Sequence, residues 1–259
     1  MSSKETDVAR AWDANTDRWT DSVRAGNDRF REIANNPAFL NFLPELAGLD
    51  VIDLGCGEGF NTRLFAKKGA RMTGIDLSVR LIEAARQAEQ IEQQGIRYHV
   101  ASYADLSELG TQRFDGAVST MALMDGPDFD KAAQAAFSVL RSGGWFCFSV
   151  THPCFAAPVN RWIEQDGEIE GKLVGDYWRN SPFVERWGFS DGPSSTEPFS
   201  IWYFPHRLED YINGLISAGF RIARIAEPRP TEAMVKAHPP LAPYRQHAPH
   251  VLYVAATKD

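Results

Sequence analysis

Apolar positions near the N-terminus repeat at helical spacing. Val8, Trp12, Trp19 and Val23 share one face, and Phe39, Phe42, Leu43 and Leu46 share another. The pattern predicts a helical cap of two or three helices over residues 7–47. One of them is predicted to start at Asn35-Asn36-Pro37, where proline fits the first turn. From Asp50 the period shortens. Apolar runs at 50–55, 71–76, 96–101, 114–120 and 143–150 predict strands, and amphipathic stretches at 60–69, 78–94 and 128–141 predict helices between them. Gly69, Gly95 and Gly143-Gly144 fall where those helices should stop. Strands alternating with helices imply a doubly wound α/β fold, its mostly parallel sheet covered on both faces. The rhythm breaks at 151–205, a stretch rich in proline, glycine and aromatics. A helix then fits 207–218, with Leu208, Tyr211, Ile212, Leu215 and Ile216 on one face and Gly219 at its end. Two last strands, 220–226 and 251–256, bring the sheet to seven. A proline-rich loop without a helix joins them, which predicts antiparallel pairing at the sheet edge.

Composition narrows the class. A chain of 259 residues can hold one large domain with a sizeable insertion. It divides as cap (7–47), ligand-binding core (48–150), insertion (151–205) and a C-terminal helix with two strands (206–259). A net charge of −7 removes a chain-wide basic footprint, so nucleic acid is not expected as a partner. Cys56, Cys147 and Cys154 lack metal-type spacing and fit reduced thiols in a cytoplasm. No apolar run reaches membrane-spanning length, and the polar N-terminus has no signal core. The expectation is a cytoplasmic monomer or homodimer with no membrane partner.

Candidate chemistry concentrates in Val51-Ile52-Asp53-Leu54-Gly55-Cys56-Gly57-Glu58-Gly59. An apolar strand runs into three alternating glycines and then a helix, so a ligand can lie against bare backbone. A second strand ends in an acid about 20 residues later, in Gly74-Ile75-Asp76-Leu77-Ser78, where a carboxylate can accept ribose hydroxyls. The ligand is therefore a small molecule carrying a nucleoside. A dinucleotide fingerprint would want glycine where Phe60 stands, which disfavours an NAD-dependent oxidoreductase.

The glycine run and the strand ending at Asp76 resemble the class I S-adenosylmethionine-dependent methyltransferase superfamily. Phe114-Asp115-Gly116-Ala117-Val118-Ser119 is similar to its fourth strand, and Leu140-Arg141-Ser142-Gly143-Gly144-Trp145-Phe146-Cys147-Phe148 to its fifth. His206-Arg207 through Ala218-Gly219-Phe220, followed by Glu227-Pro228, is similar to the C-terminal part of small-molecule members, so the likeness covers 8–257. It implies a Rossmann-like methyltransferase fold and S-adenosylmethionine as cofactor. By that resemblance Asp53 helps hold the methionine ammonium, while Gly55, Cys56 and Gly57 bring backbone close to the methionine part. Gly59 lets strand and helix pack closely, Asp76 takes the ribose hydroxyls, and Leu77 lies on the adenine face. Ser102, Tyr103 and Ala104 would read the adenine edge, although the family commonly has an acid where Ser102 stands. Ser119, Thr120 and Met121 would border the sulfonium, and Asp115 is expected to be structural.

Methyl transfer from a sulfonium is an in-line displacement, in which positioning can supply up to roughly 7–11 kcal/mol. A base is needed mainly for hydroxyl or protonated amine acceptors. His152, just past the fifth strand, is the first candidate and His206 the second; His152 could instead fix a turn, and His206 could pair with backbone at the helix start. His152, Cys154 and His206 lack a fourth ligand, so no metal is expected. The stretch Thr120-Met121-Ala122-Leu123-Met124-Asp125 lacks an Asn-Pro-Pro-aromatic motif, which argues against DNA and glutamine side chains as substrates. The insertion holds four of the seven tryptophans (Trp162, Trp178, Trp187 and Trp202), and a small hairpin fits around Asp166-Gly167. Its aromatic walls point to O- or N-methylation of a small aromatic or heterocyclic metabolite. A catalytically silent protein binding S-adenosylmethionine or S-adenosylhomocysteine would look the same in sequence.

Overall fold

Ser2 opens the first helix, α1 (Ser3–Arg24), by a capping box: its hydroxyl accepts the Glu5 N–H, and the Glu5 carboxylate accepts the Ser2 N–H. This arrangement comes from a computed structural model that describes residues 2–189 and 198–259. The Asp28 carboxylate accepts the Arg31 N–H (3.1 Å) and starts a second helical run. That run widens into a π turn at Arg31–Asn35 and continues as α2 (Asn36–Phe42). The α-helical start expected at 35–37 matches α2, although the chain enters it from a π turn rather than from a loop. Pro37 lies inside a continuous run, where the widened turn keeps its ring off the carbonyl one turn back.

The alternating region forms β1 (Asp50–Leu54), α3 (Phe60–Lys67), β2 (Arg71–Asp76), α4 (Val79–Glu92), β3 (Arg97–Val100), β4 (Phe114–Thr120), α5 (Phe129–Val139) and β5 (Leu140–Thr151). The insertion forms two hairpins, β6 (Val159–Gln165) with β7 (Glu168–Gly175), and β8 (Phe183–Trp187) with β9 (Phe199–Tyr203). The expected hairpin around Asp166-Gly167 is present, with both residues at positive φ (53° and 83°). The second hairpin carries no turn signal that the sequence reading used. The chain ends with α6 (Leu208–Ala218), β10 (Arg221–Ala226), α7 (Glu232–Ala237), α8 (Ala242–Gln246) and β11 (Val251–Thr257).

The seven strands run in the order β10-β11-β5-β4-β1-β2-β3. The five from β3 to β5 are parallel; β11 is antiparallel to β5, and β10 to β11, as expected for the last pair. Two local expectations fail. The link from β10 to β11 contains α7 and α8, because the Thr231 hydroxyl caps one and a proline opens the other. Gly143-Gly144 do not end a helix: α5 stops at Val139 and both glycines lie in β5. There the register with β4 shifts between Phe114 and Gly116, and the Trp145 ring lies over Gly116, where a Cβ would come within 2.1 Å of it.

The sheet is buried on both faces. One face packs Phe146, Phe148 and Val254 against Phe129, Tyr211 and Leu215 of α5 and α6. The other packs Val51, Met72 and Tyr253 against Phe39, Phe65 and Ile82 of α2, α3 and α4. At the amino edge the Asp115 carboxylate accepts the Asp50 N–H (2.8 Å) and a hydrogen bond from Arg141. Asp115 is thus structural, as expected. Helix α1 lies outside the sheet and bridges α4 to the second hairpin. Asp13 accepts hydrogen bonds from the Ser78 hydroxyl (2.6 Å) and the Arg80 N–H (3.1 Å), while Trp19 meets the rings of Trp187 and Phe199 at 5.8 and 5.7 Å.

Candidate active site

Strand order reverses between β1 and β4, and open α/β sheets bind ligands at the carboxyl ends of the strands where it does. Two loops face that crevice: the glycine run after β1 and residues 121–128 after β4. Gly55 and Cys56 both donate their N–H groups to the Ile75 carbonyl (2.9 Å each), which ties the run to the end of β2. A Cβ on Gly55 would lie 2.5 Å from the Ala122 Cβ, and one on Gly59 2.5 Å from the Tyr98 hydroxyl, so these two glycines admit neighbouring elements. Gly57 differs. The space a Cβ would take there meets only the Trp19 indole nitrogen at 3.9 Å, leaving a backbone surface roofed by α1.

The Asp76 carboxylate accepts the N–H of Gly57 on one oxygen and that of Ser78 on the other, both at 2.9 Å. Each oxygen keeps a lone pair for a ribose hydroxyl. Burial pushes the Asp76 pKa up to about 6, against the pull of those two amides. Asp53 lies 1% exposed below the run and is pushed up to about 7 by burial, while the Thr62 hydroxyl donates to it at 2.6 Å. Asp53 therefore braces the run against α3. Glu58, 1% exposed, pairs with Arg63 (3.1 Å) and Arg24 (3.2 Å), which fixes the run to α3 and α1 together. The sequence reading missed Thr62 and Glu58. The available signal was a charged residue set between two glycines of an otherwise side-chain-poor loop.

The other expected contacts divide into two groups. Leu77 is buried beneath Val8 of α1 and Phe204. Ser102 is buried, accepts the Ala104 N–H (3.0 Å) and donates to the Glu5 carboxylate. Burial alone would raise the pKa of Glu5, but hydrogen bonds from Ser102 and Ser2 outweigh it and hold the group ionised. The carboxylate beside Ser102 thus comes from α1. A cleft of about 480 Å³ runs past Ser102 between the starts of α1 and α5. Tyr103 is buried beside Gly55, and Met121 stands at the exit of β4 with φ 55°, its N–H donating to the Ser149 carbonyl (2.9 Å). A left-handed methionine is strained, and the link to β5 holds it there. Ser119 is fully buried and donates to the Leu54 carbonyl (2.7 Å), so it supports the glycine run from below rather than facing the crevice. Cys56 is buried beside Gly74, and burial raises its thiol pKa well above the ordinary range.

Comparison with known proteins agrees with this geometry. Residues 52–148 match the family described as Methyltransferase domain. The chain is 32% identical over 193 residues to a Coxiella burnetii protein described as ubiquinone biosynthesis O-methyltransferase, covering 71% of this chain and 82% of that protein. The chain belongs to the class I S-adenosylmethionine-dependent methyltransferases. The crystal structure of an S-adenosylmethionine dependent methyltransferase from Mesorhizobium loti superposes on it with a TM-score of 0.69 at 30% identity, covering 85% of this chain and 95% of that one. A Haemophilus influenzae protein described as uncharacterized is 28% identical over 213 residues, 80% of each chain.

In this methyltransferase the cofactor is S-adenosylmethionine, and the residues around the crevice fit it: open backbone at Gly57, spare lone pairs on Asp76 and an apolar floor at Leu77. The histidines behave differently from one another. His152 Nδ1 accepts the Cys154 N–H (3.2 Å), so the proton sits on Nε2, which donates to Glu227 (2.7 Å). Both ring nitrogens are committed. Burial lowers its pKa despite Glu227, and the ring pins the start of the insertion to the end of β10. That geometry holds a turn and leaves no lone pair for a base. His206 donates from Nε2 to the Gly126 carbonyl (2.9 Å), which leaves Nδ1 as its acceptor atom, and its ring lines a small cleft with Tyr177 and Tyr203. Among the described residues no three His, Cys, Asp or Glu side chains cluster as metal ligands would. Nor is any described helix long and apolar enough to cross a membrane.

Proposed function

We propose that the protein methylates an oxygen or nitrogen atom of a small acceptor seated between the loop after β4 and the hairpin β8–β9. The observation that carries this reading is the aromatic inner face of that hairpin. Phe183 pairs with Tyr203 and Trp187 with Phe199, so four rings share one side. The Phe204 N–H donates to the Met124 carbonyl (2.8 Å) and ties that side to the loop bordering the methyl group. A wall of aromatic rings suits a flat acceptor. The name of the Coxiella burnetii relative supports a small acceptor and an oxygen nucleophile. Residues 151–205 act as the substrate-binding insertion in this reading.

The cofactor supplies an electrophilic methyl group on a sulfonium. Asp76 holds the ribose, Gly55 and Gly57 the methionine part, and Leu77 with Ser102, Tyr103 and Ala104 the adenine, the last assisted by Glu5. Helix α1 and the hairpin exclude water from above. Three unbridged cysteines support a cytoplasmic setting, where the protein acts as a monomer or homodimer. Calorimetry with S-adenosylmethionine, S-adenosylhomocysteine and NAD, followed by label transfer from methyl-labelled cofactor to phenols and amines, tests the reading. Binding of the first two but not NAD, with label in a small acceptor, is the expected result. Tight cofactor binding with no transfer to any acceptor would make the protein a sensor, and preference for NAD would overturn the reading.

A further inference from the structure

The second helical run carries a buried cation whose donors are unused. Arg31 opens the π turn, and its side chain is 12% exposed. Its Nε and Nη2 atoms are shut off from solvent and have no hydrogen-bond partner. Asp28 stands 3.3 Å from Nε and offsets the charge, but its carboxylate accepts the Arg31 backbone N–H (3.1 Å) and takes neither of these side-chain donors. A guanidinium stays ionised, and buried donors left unmade are costly. Two of them on one side chain call for an acceptor that the chain itself does not supply. Widened turns such as the one Arg31 opens recur at functional sites.

The place of Arg31 says which acceptor. Its guanidinium lies over the ring of Phe60, 4.4 Å from the centroid. Phe60 is the first residue of α3 and follows Gly59 directly, so Arg31 sits where the glycine run ends. The Asn36 amide donates to the Asn61 side chain (2.8 Å), which holds the second run against the same turn of α3. No side chain caps that turn, because Gly59 stands at the N-cap with φ 85°. An uncapped helix start and a guanidinium beside it both favour an anion. At the other end of the run, Asp76 accepts the Gly57 N–H and keeps lone pairs for ribose. The open backbone at Gly57 lies between the two. S-adenosylmethionine matches that order, with ribose, sulfur and α-carboxylate in sequence. We propose that Arg31 receives the α-carboxylate at the methionine end of the cofactor. The inference rests on the S-adenosylmethionine assignment and adds the residue that selects its amino-acid end. Nε and Nη2 share one edge of the guanidinium, the edge that can hold two carboxylate oxygens at once. Adenosyl thioethers without a carboxylate leave that edge unfilled.

The test uses the full chain and calorimetry with three thioethers: S-adenosylhomocysteine, its decarboxylated form and 5′-methylthioadenosine. The parent should bind the first roughly 30-fold more tightly than the second. Arg31→Gln should weaken S-adenosylhomocysteine on the order of 30-fold and leave both truncated ligands within about twofold. Arg31→Lys should recover part of the loss, since an ammonium keeps the charge but not the fork. Undiminished affinity of Arg31→Gln for S-adenosylhomocysteine overturns the inference. Equal weakening of all three ligands does so too, because it would make Arg31 a structural residue. So does a parent that fails to distinguish S-adenosylhomocysteine from its decarboxylated form. Should Arg31→Gln not fold, Arg31→Lys carries the same comparison, with a loss confined to the carboxylate-bearing ligand expected. If the parent binds none of the three, the cofactor assignment itself fails and the inference falls with it.

Discussion

Asp76 and Asp53 are both buried carboxyls near the glycine run, but they respond to protons in different ways. Asp76 keeps two lone pairs for the ribose, so binding favours its ionised form. Its pKa of about 6 then makes S-adenosylhomocysteine affinity fall as pH drops below about 6, with proton release on binding near that pH. Calorimetry in buffers of different ionisation enthalpy measures both effects. Asp76→Ala should weaken binding by roughly 1.5–3 kcal/mol, and unchanged affinity would remove the ribose assignment. Asp53 bears on stability instead. Its pKa rises from 3.8 to about 7 on folding, so between those values the folded chain holds a proton that the unfolded chain has lost. Its contribution is fully present below about 4 and is lost as pH rises through 7. Denaturant titrations from pH 4 to pH 8 should show a shallower decline for Asp53→Asn than for the parent; parallel curves would contradict the buried-acid account.

At the scale of elements, α1 ties together the most widely separated parts of the crevice. It reaches Ser102 through Glu5, Ser78 through Asp13, Glu58 through Arg24 and the second hairpin through Trp19. A cofactor in the crevice would lie against the helix that makes these contacts. Cofactor binding should therefore slow amide exchange in α1 and in β8–β9 more than in α6. Glu5→Ala should speed exchange in the first turns of α1 and raise the dissociation rate of S-adenosylhomocysteine. Equal rates in variant and parent would mean that the Glu5 link contributes nothing to closure. His152 is a contrasting case. Its two committed nitrogens join the insertion to β10, so His152→Ala should lower unfolding free energy by about 1–3 kcal/mol while sparing cofactor affinity. Chemical denaturation alongside calorimetry checks both halves.

For the whole molecule, core, cap and insertion share one crevice, so cofactor binding should stabilise them together. At a hundredfold excess over its Kd, S-adenosylhomocysteine should add about 2.7 kcal/mol, seen in scanning calorimetry as one transition moving upward. Two transitions of which only one moves would separate the insertion from the core. The sheet and the glycine run were legible in the sequence because both are local. A strand-helix period needs only neighbouring residues, and bare backbone ending in an acid needs only a short window. The misread points are those where a local signal met a distant partner. The link from β10 to β11 reads as loop until α7 and α8 are seen in it, and Gly143-Gly144 read as a stop until Trp145 lies across Gly116. Glu5 and Ser102 stand 97 residues apart, and nothing in either window announces the other. The sequence by itself thus determined the fold class and a nucleoside-type ligand, since periodicity and backbone access are properties of short segments, and its family resemblance implied the methyl donor. Only the tertiary structure decided that both nitrogens of His152 are committed and that α1 brings a carboxylate to Ser102. Each of these is a pairing across the chain, set by how packed elements meet rather than by what any one segment prefers.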